Sequence, residues 1–140
     1  MKNEFIISTD ASTFDIDFIH AYLSKESYWA KNIPVDIVKK SIEGSLCFAV
    51  LLNQQQIGFA RVVTDYATFG YLADVFIAND FRGQGLSKLL MRSIMDHPQL
   101  QGLRRWMLGT KDAHGLYAQF GFQPLDMPER IMRFAPFDEY

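Results

Sequence analysis

Residues 75–87 read VFIANDFRGQGLS. Tyr71 to Ile77 (YLADVFI) is an apolar run that predicts a strand. Asn79 to Gly85 breaks the run. Leu86, Leu89, Leu90, Ile94 and Met95 then recur at helical spacing, up to the stop at His97-Pro98. The order is strand, glycine-bearing loop, helix. A helix N-terminus presents unpaired N–H groups and the positive end of its dipole. Gly83 and Gly85 remove side chains that would hold a phosphate away, and they permit unusual backbone angles. Arg82 adds a charged fork suited to phosphate oxygens. The loop therefore reads as a phosphate or diphosphate site. The dinucleotide pattern G-x-G-x-x-G would require glycine where Lys88 stands, and an acidic residue about twenty positions later. Gln101 to Leu108 holds no acidic residue, and the P-loop pattern is absent. The plainer alternative is a strand-to-helix turn whose glycines serve packing alone.

Working outward, Phe5 to Ile7 predicts a short strand, and Asp15 to Ser24 a helix. Ser27 to Ile33 has no period and carries Tyr28 and Trp29. Pro34 suits the first turn of a second helix, which Gly44 stops. Leu46 to Leu52, a turn at Asn53 to Gln56, and Ile57 to Thr64 form a hairpin pattern. On the far side, Arg105 to Leu108 predicts a strand and Ala113 to Phe120 a helix stopped by Gly121. Phe122 to Leu125 and Arg130 to Phe134 predict two last strands. This order describes a mixed α/β domain rather than regular βαβ units.

The chain has 140 residues and no linker or repeat, so residues 1–140 read as one domain. Nearly half of it is hydrophobic, enough for a core. The net charge of −2 argues against a nucleic-acid partner, which would require a basic face. No stretch has the length or apolarity of a membrane span, and the N-terminus lacks a signal peptide's apolar region. The expected location is cytoplasmic. The single cysteine, Cys47, lies in an apolar run and reads as a core residue rather than a catalytic thiol. Asp112 and His114 alone do not make a metal site, so no metal is expected.

The stretch 75–87 resembles the acyl-CoA-binding motif of the GNAT superfamily of N-acetyltransferases, [Q/R]-x-x-G-x-[G/A] between a central strand and a helix. Arg82, Gly85 and Ser87 occupy its positions, Ser87 in place of Gly or Ala. Thr110 to Phe122 (TKDAHGLYAQFGF) is similar to the family's later motif N-x-x-A-x-x-L-Y-x-K-x-G-F. Ala113, Leu116, Tyr117, Gly121 and Phe122 fall in register, while Thr110 replaces Asn and Gln119 replaces Lys. The resemblance implies a central, mostly antiparallel twisted sheet of about six to seven strands, with flanking helices and a splayed central strand pair. It also implies acetyl-CoA as cofactor, with binding residues Val75, Phe76, Ile77, Arg82, Gly83, Gln84, Gly85, Leu86, Ser87, Lys88 and Tyr117. The acceptor it implies is a primary amine of a small molecule or peptide. A homodimer is a further expectation, since family members often dimerise.

Under that resemblance, Tyr117 takes the position beside the cofactor sulfur and serves as proton donor. A lysine-like amine, with a pKa of about 10.4, must lose a proton before it attacks. Asp74 on the central strand is the first candidate base. Regular alternation sets it with Phe76 and opposite Val75 and Ile77. Asp65, Glu26 and His114 are weaker candidates. Tyr28 and Trp29 lie where the resemblance places a wall facing the substrate. The rival readings are a non-catalytic acyl-CoA-binding or regulatory module and a protein-interaction domain.

Overall fold

A computed structural model describes residues 4–140. Five strands form one sheet in the order β1-β2-β3-β4-β5: Phe5–Ser8, Leu46–Leu52, Gln55–Thr64, Phe69–Ile77 and Arg105–Leu108. β1 to β4 are antiparallel neighbours, and β5 runs parallel to β4. The β2–β3 turn places Asn53 and Gln54 at positive φ, the geometry that matches the twist of a tight hairpin.

Alternation along the strands feeds two helical layers. Phe48, Ala60, Val62, Leu72 and Ile77 face one layer. There they meet Leu86, Leu90, Met91 and Ile94 of α3 (Leu86–Met95) and Tyr117 of α4 (His114–Ala118). Cys47, Phe59 and Phe76 face the other. Their partners are Ile19 of α1 (Ile16–Ala21), Tyr22 and Leu23, Ala30 and Ile33, and Val38 of α2 (Val35–Glu43). The burial of both sheet faces explains why β2 reads as a nearly unbroken apolar run.

The first helix departs from its expected course. It is α-helical only to Ala21 and then makes a π turn over Tyr22–Glu26. Ser27 anchors that turn: its N–H reaches the Tyr22 carbonyl, and its hydroxyl donates to the Leu23 carbonyl and accepts the Ala30 N–H. The wider turn delivers Tyr28 and Trp29 as a fixed corner.

The two last expected strands do not form, so the sheet has five strands rather than six to seven. Pro124 and Pro128 each remove a donor, and Pro128 opens a short 3₁₀ turn, Pro128–Arg130. Met132 and Phe134 would share one face of a strand, yet both side chains, and that of Ile131, are exposed. Such a pattern supplies no pairing partner of its own.

Candidate active site

β4 is regular only in part. Asp74 takes φ +54, the left-handed region, in mid-strand. Phe59 pairs with Phe76 and Arg61 with Ala73, so Ala60 alone opposes Asp74 and Val75. That is a β-bulge. It reverses the phase of the strand: Leu72 faces the α3 layer, but Phe76, four residues on, faces the α1 layer. The uniform alternation expected through this strand is broken at Asp74. The Asp74 carboxylate accepts Arg61 Nε–H at 2.8 Å on one oxygen and Trp29 Nε1–H at 2.8 Å on the other. The Arg61 and Asp74 side chains are only 19% and 10% exposed, so the charges are matched inside the protein rather than by solvent. Arg61 also donates to Ser45 Oγ.

The parallel pairing of β4 with β5 ends at Leu72 and Leu108, while β4 continues to Ile77. From Ala73 onward, the edge of β4 away from β3 has no strand against it among the described residues. Such an edge can pair with an extended ligand as with an added strand.

At the end of β4, a 3₁₀ turn (Asn79–Phe81) leads into the glycine loop. Gly83 and Gly85 sit at φ +81 and +77, and a Cβ added to either would meet open space. The backbone angle favours glycine there, and the space beside each is open. Gly85 is the N-cap of α3 and supplies no side-chain cap. Among the described residues, no protein acceptor meets the N–H groups of Gly83 to Lys88; the first helical bond is Leu89 N–H to Gly85. A run of free amides at a helix N-terminus is an anion cradle. Arg82 does not yet point its whole fork there: Nε–H bonds the Ile77 carbonyl, and one Nη bonds the Tyr22 hydroxyl at 2.6 Å. Tyr22 in turn stacks on Phe76, ring centroids 3.9 Å apart. The Phe76 side chain thus belongs to the core, which leaves its backbone as the part a cofactor can meet.

Two cavities flank this stretch. The smaller, about 310 Å³, is lined by Ile77, Phe81, Arg82, Gly83, Gly85, Leu86, Ser87, Lys88 and Leu116. Gln84 is exposed and stands outside it. The larger, about 630 Å³, has walls that include Tyr28, Trp29, Ile37, Tyr71, Asp74 and Tyr117. Val75 and Tyr117 line the larger cavity and Ile77 and Leu116 the smaller, so β4 and α4 run from one to the other.

The later motif explains how Tyr117 is held. Gly121 takes φ +94. Its N–H bonds the Ala118 carbonyl, and the Phe122 N–H bonds the Tyr117 carbonyl. This is a Schellman closure of α4, with Phe122 against Tyr117 as its apolar contact, at 6.1 Å between centroids. At the other end, Thr110 Oγ1 accepts the Ala113 N–H, and the Tyr28 hydroxyl accepts the Lys111 N–H. The second bond ties the Trp29 corner to the strand 5–helix 4 connection across the cavity. Burial, reinforced by Tyr28 and Asp112, pushes the Tyr117 phenol up to about 12.

The other sequence candidates lie elsewhere. Asp65 accepts from Thr68, Ala67 and Phe69 within its own turn, above all from Thr68, which holds its carboxyl well below the usual range. Glu26 and His114 are exposed and do not line the larger cavity. Burial pushes the Cys47 thiol up to about 12, as suits a core residue. No group of three metal-ligating side chains occurs among the described residues. No helix there is long and apolar enough to cross a membrane. Sequence reasoning missed Arg61 and Tyr71, and it weighed Asp112 only as a metal ligand. Arg61 left one signal, a charge set within the apolar strand GFARVV, where burial demands a partner.

The model of the acetyltransferase (GNAT) family matches residues 16–122. A solved protein of Xanthomonas campestris pv. campestris, placed in that family, is 51% identical, with TM-score 0.92 over 95% of this chain and 94% of that one. A Gibberella zeae protein placed among the acetyltransferases is 29% identical over 84% of this chain and 78% of its own length. A GNAT family acetyltransferase from Elizabethkingia anophelis, solved with acetyl-CoA bound, shares the fold at 16% identity, with TM-score 0.66 over 89% of this chain and 80% of that one.

Proposed function

Because the chain belongs to the acetyltransferase (GNAT) family, we propose that it transfers the acetyl group of acetyl-CoA to a primary amine of a small molecule or peptide. Acetyl-CoA is the family's cosubstrate. The observation that carries the reading is the junction of three parts: a cradle of free amides, an unpaired strand edge and a cavity walled by a buried phenol. The diphosphate fits the amides of Gly83 to Lys88. The pantetheine arm fits the edge of β4 over Val75, Phe76 and Ile77, which leads the thioester towards Tyr117. A backbone N–H of that segment would meet the thioester oxygen as it gains negative charge.

The amine nitrogen attacks the thioester carbon in the larger cavity. A C–N bond forms, the C–S bond breaks, and the thiolate leaves with the electron pair. Tyr117, on the wall of that cavity, would hydrogen-bond the sulfur. Asp74 suits the role of positioning residue better than that of base, since each of its oxygens already accepts a bond from a protein donor, Trp29 on one and Arg61 on the other. The proton of the attacking amine then leaves through cavity water towards the rim, where Asp112 is the exposed carboxylate. A cytoplasmic location fits a protein that draws on acetyl-CoA.

Thiol release from acetyl-CoA, followed across a panel of primary amines, tests the proposal. The expected result is amine-dependent release with one acetylated amine formed per thiol. Tight CoA binding without release for any amine would instead support the acyl-CoA-binding module.

A further inference from the structure

The Arg82 guanidinium is divided between the protein and the smaller cavity. Its Nε–H donates to the Ile77 carbonyl at 3.2 Å, and Nη2 donates to the Tyr22 hydroxyl at 2.6 Å. Nε and Nη2 share one edge of the planar group. The outer edge carries Nη1 and the second Nη2 hydrogen, and among the described residues these meet no acceptor. Arg82 lines the smaller cavity together with Gly83 and Gly85, beside the free amides. The unspent edge is a two-pronged donor of the shape that phosphate oxygens accept.

A long side chain loses freedom when it grips a ligand, and one fixed beforehand loses less. The Ile77 carbonyl alone holds Arg82 at one point, about which the planar group can still turn. The Tyr22 hydroxyl supplies the second point, and Tyr22 is itself firmly held. It is only 9% exposed, and its ring lies flat on Phe76, with centroids 3.9 Å and planes 5° apart. Its backbone opens the π turn Tyr22–Glu26, and its carbonyl accepts the Ser27 N–H. A buried phenol requires a partner for its polar end, and here that partner is the arginine at the cradle.

We propose that Tyr22 is a positioning residue for the cofactor: its hydroxyl orients Arg82 so that the free edge of the guanidinium meets the diphosphate. This inference rests on the reading of Gly83 to Lys88 as the diphosphate cradle. Its test titrates CoA, and dephospho-CoA, which keeps the diphosphate, into the wild-type protein, Tyr22→Phe, Arg82→Met and the double variant. Phenylalanine keeps the ring on Phe76 and removes only the hydroxyl. Tyr22→Phe is expected to raise Kd roughly three- to tenfold for both ligands. Added to Arg82→Met, it should change Kd by less than about twofold, because the group it acts through is gone. Penalties that add independently overturn the inference and leave Tyr22 as a support of the fold alone. An unchanged or lowered Kd in Tyr22→Phe also overturns it. So does a penalty seen with CoA and absent with dephospho-CoA, which would set Arg82 against the 3′-phosphate instead. Failure of the wild-type protein to bind either ligand overturns the cradle reading and this inference with it.

Discussion

Replacing Tyr117 with phenylalanine is expected to lower kcat by roughly 10- to 100-fold while leaving CoA binding nearly unchanged. The magnitude follows from the phenol's environment. Burial raises its pKa to about 12. A leaving thiolate has a conjugate-acid pKa of about 8.5, so full proton transfer from the phenol would be uphill by roughly 5 kcal/mol. In the proposed reaction Tyr117 therefore serves as a neutral hydrogen-bond donor to the developing thiolate. A hydrogen bond to a charged group contributes about 1.5–3 kcal/mol, which sets the expected range. Loss of a true proton donor could reach about 10⁴-fold, and a fall of that size would contradict the donor-only role. The sign of the pH dependence follows as well. The neutral amine fraction grows as pH rises, so kcat/KM should climb towards the amine pKa. Because Tyr117 stays protonated past the ordinary phenol value of about 10, its ionisation should put no downward break there.

Arg61→Met is expected to cost about 2–3 kcal/mol of stability, read as a melting temperature lower by roughly 6–12 °C. The change strands the Asp74 carboxylate, only 10% exposed, with Trp29 Nε1–H as its remaining partner. A surface pair would contribute far less, since water and salt would screen it. Adding Asp74→Asn should recover part of the loss. Asparagine tolerates the left-handed angle at position 74, keeps an acceptor for Trp29 and carries no charge. The single change Asp74→Asn also separates two roles. As a positioning residue, Asp74 should tolerate it with kcat within about tenfold of the original, whereas loss of a general base costs roughly 10²- to 10⁴-fold. If Arg61→Met left the melting temperature unaltered, the pair would contribute nothing to the fold.

The features legible in the sequence were those written in local chemistry. Gly83 and Gly85 announced backbone angles that other residues avoid, and the helix after them announced its free amides. Gly121-Phe122 closes α4 and braces Tyr117 through bonds spanning at most five residues. The Trp29–Asp74–Arg61 cluster joins positions 45 and 13 residues apart, and no local pattern specifies such a meeting. The bulge that makes it possible depends on the register of β3 against β4. The same limit explains Arg130 to Phe134. A short apolar run suggested a strand, but pairing requires a neighbour that the local sequence does not name. Thr110 shows the opposite case. It departs from the family motif, yet its hydroxyl still accepts the Ala113 N–H at the start of α4.

The account turns on the cradle at Gly83 to Lys88, and calorimetric titration of CoA into the wild-type protein, Gly85→Ala and Ser87→Ala addresses it most directly. Gly85 is left-handed with open space beside it, so alanine strains the loop and fills the ligand's approach. In the proposed cradle Ser87 would contribute through its backbone amide, which alanine retains. The expected result is a Kd raised roughly tenfold or more by Gly85→Ala, equivalent to about 1.4 kcal/mol, and little changed by Ser87→Ala. Equal affinity in the wild-type protein and Gly85→Ala would contradict the cradle and, with it, the path by which the thioester reaches Tyr117.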